Sequence, residues 1–207
     1  VPSFREHVDT IARWRRFPGR EWAESGVALT FDDGPDPEAT PAILDALDEA
    51  GARATFFLVG EQLLAHHELG VEVARRGHWI GLHGFRHVEG EERDDLVRGL
   101  DAIEAATGSR PGVYRPPYGR IREATHAACG ELGLEVVYWS AWGADWEDIP
   151  PERIVELVRR DLVEGAIVLL HDSARYAHRP SAAATAEALP AIVEAAAGRG
   201  LALGPVA

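Results

Sequence analysis

Adjacent carboxylates at Asp32 and Asp33, imidazoles four apart at His83 and His87, a guanidinium at Arg115, an acid at Asp145 and a further imidazole at His171 form a set able to do chemistry together. Two imidazoles and one carboxylate are a three-ligand set for a divalent ion that leaves a position open to water. His83 and His87 supply the imidazoles if the chain there turns into a helical loop, where side chains four apart share a face. One of Asp32 and Asp33 supplies the carboxylate. The other is left to take a proton from water that the ion makes acidic. Neighbours on a regular strand point to opposite faces, so this division requires an irregular strand end, and Gly34-Pro35 suits one. Cleavage of an amide also needs a proton for the departing amine, for which His171 is the natural donor. Asp145 is the candidate to hold its ring and raise its pKa, and Arg115 to aim the base.

The elements that must position these groups are legible as short apolar runs alternating with amphipathic segments, the pattern of an α/β protein with mostly parallel strands. The runs are 27–31, 54–59, 79–82, 112–115, 135–140, 166–170 and 201–206, which predicts seven strands. Helices are predicted near 38–50, 61–76, 92–107, 121–132, 151–164 and 182–198, with apolar residues recurring at three and four, as in Ile43, Leu44 and Leu47. Gly51, Gly77, Gly108, Gly133, Gly165 and Gly200 fall just past these helices, where a left-handed closing residue is wanted. So many βα units in one chain of 207 residues favour a closed or nearly closed barrel over a doubly wound open sheet. In barrels the reacting groups stand at the carboxyl ends of strands, and each candidate follows a predicted strand. Period-two alternation places Leu169 on the face of His171, where it could line an apolar pocket beneath the acid. Taken singly each signal is weak; their convergence at one end of one barrel is what carries weight.

The chain is expected to hold a catalytic domain over 26–207, with a segment 1–25 packed on the barrel. That segment carries Trp14 and Trp22 among Arg13, Arg15, Arg16 and Arg20, and its rings are expected against the barrel end with the arginines in water. The net charge of −13 offers no footprint for a phosphate backbone, so nucleic-acid binding is disfavoured. No apolar run approaches the ~18 residues of a membrane span. The single cysteine, Cys129, reads as a buried helix residue and cannot form an intrachain disulfide. No protein partner is predicted. Location is open: cell envelope or extracellular if an upstream signal was removed, cytoplasmic otherwise.

These segments, in this order, resemble the polysaccharide deacetylase family, carbohydrate esterase family 4, also called the NodB-homology domain. TFDDGP at 30–35, RPPYG at 115–119 and LLHD at 169–172 match its motifs outright. The second motif is usually His-(Ser/Thr)-x-x-His, and here Gly84 replaces the hydroxyl residue. Of the fourth only Asp145-Trp146 remains, with Trp142 where an earlier acid would stand. The resemblance implies a distorted (β/α) barrel and metal-dependent removal of an N-acetyl group from an amino-sugar glycan. It implies Asp32 as general base oriented by Arg115, and His171 as general acid tuned by Asp145. Asp33, His83 and His87 would bind the metal, Zn²⁺ foremost, with Co²⁺ or Ni²⁺ as alternatives. Pro117 and Tyr118 lie in the third motif, the Tyr118 N–H meeting the oxyanion, while Trp146 and Leu169 hold the acetyl methyl. Trp142, Trp146, Tyr118 and Phe85 either offer flat faces to a sugar ring or fill the barrel rim. Alternatives are a hydrolase of another amide on the same scaffold, an inert glycan-binding relative, and a purely structural barrel needing no ion.

Overall fold

The computed structural model describes residues 17–206. Arg13, Trp14, Arg15 and Arg16 of the basic aromatic stretch lie outside the described residues. The strands are β1 (Val27–Asp32), β2 (Thr55–Leu58), β3 (Trp79–Leu82), β4 (Val113–Tyr114), β5 (Glu135–Val136), β6 (Ala141–Trp142), β7 (Ile167–His171) and β8 (Leu203–Gly204). The α-helices are α1 (Thr40–Glu49), α2 (Gly60–Ala65), α3 (His67–Arg75), α4 (Arg93–Thr107), α5 (Glu123–Glu131), α6 (Pro151–Asp161) and α7 (Ala183–Ala197). All strand pairs are parallel, in the order β5-β4-β3-β2-β1-β7-β6, with β8 beside the start of β1.

That order forces the sheet to curl. β5 and β6 are its opposite edges, yet only residues 137–140 join them. Five residue steps reach at most about 18 Å, whereas seven strands laid flat would separate the edges by about 29 Å. The sheet therefore wraps into a distorted half-barrel. The stretch after Phe17 lies along the opening: Arg20 bridges to Val137 and Trp22 to Ala166, and Arg20 pairs with Glu135 at 2.8 Å. Trp22 itself is half exposed.

Every residue of β1 is buried, as expected for a central parallel strand covered on both faces. Phe31 stacks on Phe56 of β2, and Ile43, Leu44 and Leu47 of α1 close over that side. The six glycines all adopt positive φ, though Gly165 lies three residues past the α6 cap Leu162, in the turn before β7, and does not close that helix; at Gly108 the left-handed residue returns its N–H to Glu104 O at 2.8 Å. Two expectations are corrected. The run 135–140 forms a strand only at Glu135–Val136; the chain then leaves that sheet edge and joins the other at Ala141, just past the run. The single helix 61–76 is broken at His66, which lets α2 fold back so that Leu63 rests on Gly70, where a Cβ would lie 2.2 Å from Leu63 Cδ1.

Candidate active site

The register sets the scaffold. Asp32 at the end of β1 is abreast of His171 at the end of β7 and Phe57 of β2, so three strand ends open onto one space. Asp33 then takes φ 81°, which breaks the strand alternation and returns its carboxylate to the side of Asp32. Both acids reach the same ring: Asp33 Oδ1 lies 3.3 Å and Asp32 Oδ2 3.8 Å from His83 Nε2. Asp172, next along from His171, supports this turn by accepting the Gly34 N–H at 3.0 Å and the Thr40 hydroxyl at 2.6 Å. Burial pushes its carboxyl up to about 7.

Asp33 Oδ1 is also 3.0 Å from His87 Nε2, and Asp33, His83 and His87 are the one buried group of metal-type ligands among the described residues, with donor atoms within 4.8 Å of one another. The helical loop expected between the two histidines is absent. Residues 83–88 carry neither helix nor strand, and left-handed conformations at Gly84 (φ 82°) and His87 (φ 56°) bring the imidazoles together at a centroid distance of 5.0 Å.

The donor set suits a cation. His83 Nδ1 is 2.8 Å from the Arg115 carbonyl, which places a proton on that nitrogen and leaves the Nε2 lone pair facing Asp33. Burial opposes charge on this ring, but Asp32 and Asp33 favour it more and raise its pKa. A field that draws a proton to Nε2 draws a metal ion to the same lone pair. Burial dominates at His87 and lowers its pKa, which favours the uncharged ring that a metal ligand needs. At Asp33 burial is outweighed by hydrogen bonding to the two imidazoles, so its carboxyl lies well below the usual range.

On one flank Arg115, fully buried, donates Nη1 to Asp32 Oδ1 at 2.8 Å and to Thr30 Oγ1 at 2.7 Å, and Nη2 to the Tyr138 carbonyl at 2.9 Å. Its guanidinium also covers the Phe57 ring. Asp32 Oδ1 is thus engaged and Oδ2 faces His83. On the other flank Asp145 Oδ1 meets His171 Nδ1 at 2.8 Å, while Oδ2 accepts the His171 backbone N–H at 2.9 Å. Burial works against a charged His171, but the Asp145 carboxylate overrides it and lifts the ring to about 9. With Nδ1 committed, Nε2 is the nitrogen left to carry a proton outward.

The remaining candidates separate. Trp146 sets its ring edge-on to His171 at 5.8 Å, and Leu169, buried, lies two residues before it on the same face of β7. Pro117 is buried at the start of a 3₁₀ turn, Pro117–Gly119, in which Tyr118 takes φ 57° and packs edge-on against His87 at 4.7 Å. Tyr118 is half exposed and can meet a sugar. Phe85 and Trp142 are buried, Phe85 beneath the Arg98 guanidinium. Four residues escape sequence reasoning. Tyr176 stacks on His87 at 3.8 Å, the Thr185 hydroxyl donates to Asp145 Oδ2 at 2.7 Å, Arg179 bonds the His171 carbonyl at 3.2 Å, and Glu91 lies under the histidine loop. None stands at a strand end, so none carries the signal that marked the others. Cys129 is buried with its thiol pushed up to about 12, an inert core residue.

Fold and site together define a curled parallel (β/α) half-barrel with a two-imidazole, one-carboxylate group able to hold a cation at its strand carboxyl ends. The chain belongs to the polysaccharide deacetylase family, whose model matches residues 19–137. It is 37% identical over 158 residues to a peptidoglycan-N-acetylglucosamine deacetylase of Bacillus cereus, covering 72% of this chain and 73% of the relative. A second such deacetylase of Bacillus cereus is 35% identical over 71% of this chain, which spans 56% of that relative's length. A chitooligosaccharide deacetylase of Bradyrhizobium is 35% identical, with 76% of this chain and 75% of the relative covered. Among solved structures, a peptidoglycan N-acetylglucosamine deacetylase superposes with a TM-score of 0.81 at 30% identity, covering 88% of this chain and 89% of the other. A family 4 carbohydrate esterase from Streptomyces lividans in complex with acetate superposes at 0.78 and 31% identity, covering 88% and 93%.

Proposed function

We propose that this protein is a metal-dependent hydrolase that removes N-acetyl groups from an N-acetylglucosamine-type glycan. The observation that carries the reading is the meeting of Asp33 Oδ1 with Nε2 of both His83 and His87, flanked by the Asp32–Arg115 and His171–Asp145 pairs. The names of the peptidoglycan and chitooligosaccharide deacetylases it resembles support the substrate class. Two nitrogen donors and one oxygen donor in a buried site favour Zn²⁺, with Co²⁺ or Ni²⁺ able to replace it.

When bound, a divalent cation supplies Lewis acidity, acidifying water and polarising the acetamide carbonyl. Asp32, its Oδ1 held by Arg115, takes a proton from the attacking water through Oδ2. The carbonyl carbon becomes tetrahedral, and the Tyr118 N–H donates to the developing oxyanion. His171 gives its Nε2 proton to the glucosamine nitrogen as the C–N bond breaks, and Asp145 stabilises the charged ring beforehand. Leu169 and Trp146 beside His171 enclose the methyl of the acetyl group. The products are acetate and a free amino sugar.

The test is acetate release from N-acetylglucosamine oligomers by Zn²⁺-loaded protein, with other acylated amines run at the same metal concentration. Turnover of the oligomers supports the reading. Turnover of the other amides alone assigns a different substrate to the scaffold, and saturable sugar binding without turnover makes the chain a glycan binder.

A further inference from the structure

We infer that Glu91 is a positioning residue that shapes the His83–His87 loop for metal binding, and that Gly84 is its obligate counterpart. The inference rests on the reading of Asp33, His83 and His87 as ligands. The loop has no helix or strand of its own to hold it, so residues 84–86 depend on neighbours for backbone partners. Their carbonyls are held by the start of α2: Gly60 N–H donates to Gly84 O at 3.0 Å and Glu61 N–H to Phe85 O at 2.9 Å. The N–H groups of Phe85 and Arg86 are held by one carboxylate. Glu91 Oε1 accepts from Phe85 at 2.9 Å and Arg86 at 2.7 Å, and Oε2 accepts from Phe85 at 2.8 Å.

Glu91 is itself fixed. It is 1% exposed, just ahead of α4, and its carbonyl accepts the Thr125 hydroxyl of α5 at 2.8 Å. A buried carboxylate is retained only where it is fully bonded, and here its partners are the amides between two candidate ligands. A Cβ on residue 84 would stand 2.5 Å from Glu91 Oε2 and 2.7 Å from Oε1. Glu91 thus fills the space a side chain at 84 would take, at the position where motifs of this kind usually place serine or threonine. Gly84 is in addition at φ 82°, a conformation that disfavours any side chain. The departure at 84 and the buried acid at 91 are two halves of one arrangement.

The experiment compares Zn²⁺ dissociation constants, measured by competition with a chromophoric chelator, for the wild type, Glu91→Ala, Glu91→Gln, Gly84→Ala and the Gly84→Ala/Glu91→Ala double variant. Thermal melts of the metal-free proteins run alongside. Glu91→Ala is expected to weaken Zn²⁺ binding by on the order of ten-fold or more, with Glu91→Gln, which keeps the shape and one acceptor oxygen, in between. Gly84→Ala is expected to weaken it similarly in the wild type and much less in Glu91→Ala. Backbone strain at 84 is common to both backgrounds and cancels in the cycle. If Glu91→Ala fails to fold, Glu91→Gln and Gly84→Ala carry the comparison. Wild-type affinity in the Glu91 variants, even with a lowered melting point, or strict additivity in the cycle, overturns the inference by making Glu91 a purely structural residue. Failure of the wild type itself to bind Zn²⁺ overturns the ligand reading, and this inference with it.

Discussion

Asp32 and His171 are register partners on the adjoining parallel strands β1 and β7, with their ends level at the mouth of the barrel. As the base and acid of the proposed mechanism, they would serve opposite ends of one amide without any loop having to move. Asp32→Asn keeps the size of the side chain and its bond to Arg115 but removes the proton acceptor. It is expected to retain Zn²⁺ affinity while kcat falls by roughly 10²–10⁴-fold. Titration of the metal beside a steady-state acetate assay checks both halves, and full activity would remove Asp32 from the role of base.

Ligand loss has a different signature. His83→Ala and Asp33→Ala each delete one of three donors whose atoms lie within 4.8 Å of one another. Both are expected to lose Zn²⁺ and activity together. Chelator-treated wild type is expected to lose activity and recover it on addition of Zn²⁺, Co²⁺ or Ni²⁺. Elemental analysis of untagged protein reads the stoichiometry, and activity that survives complete metal removal would contradict the ligand assignment.

The alkaline limb of the rate profile reports His171. Burial opposes its charge but the Asp145 carboxylate raises its pKa above the ordinary imidazole value, so on the proposed mechanism it holds the proton it must deliver through neutral pH and loses it on the alkaline side. kcat/KM is therefore expected to decline only well above the unperturbed imidazole value of ~6.5. Asp145→Asn removes the charge that opposes burial, so the pKa falls and the limb moves to lower pH. A limb unmoved by this substitution would mean that another group sets it.

Thr185 of α7 is buried with its hydroxyl on Asp145 Oδ2, and Arg179 donates to it in turn at 2.6 Å. Thr185→Val leaves two buried polar partners short of a bond and is expected to cost about 1–3 kcal/mol of stability, read from urea unfolding. It is also expected to lower kcat more than it changes KM, because Asp145 then holds the acid less firmly. Thr185→Ser, which restores the hydroxyl, is expected to recover both.

Much of the fold was legible because its signals are local. β3 matches its apolar run at both ends, β1 and β7 are displaced by no more than one residue, and α4 and α7 differ from expectation only at their termini. The run from Glu135 to Ser140 misled because apolar character does not record which sheet edge a residue joins. The break at His66 is marked by neither proline nor glycine. At the site, Asp32, Asp33, His83, His87, Arg115, Asp145 and His171 were visible by type and by their place after strands. The loop between the histidines was not, since four-residue spacing serves a helix and a pair of left-handed residues equally well.

By itself the sequence determined which chemical groups this protein has and that they gather where strands end, because residue type and hydrophobic periodicity are properties of short stretches of chain. Only the tertiary structure decided which oxygen faces which nitrogen. Arg115 meets Asp32 across 83 residues and Asp145 meets His171 across 26, contacts closed by the curl of the sheet and not by any local preference. The same holds for Glu91, just ahead of α4, and Thr185 of α7, which meet the histidine loop and Asp145 only through long-range packing.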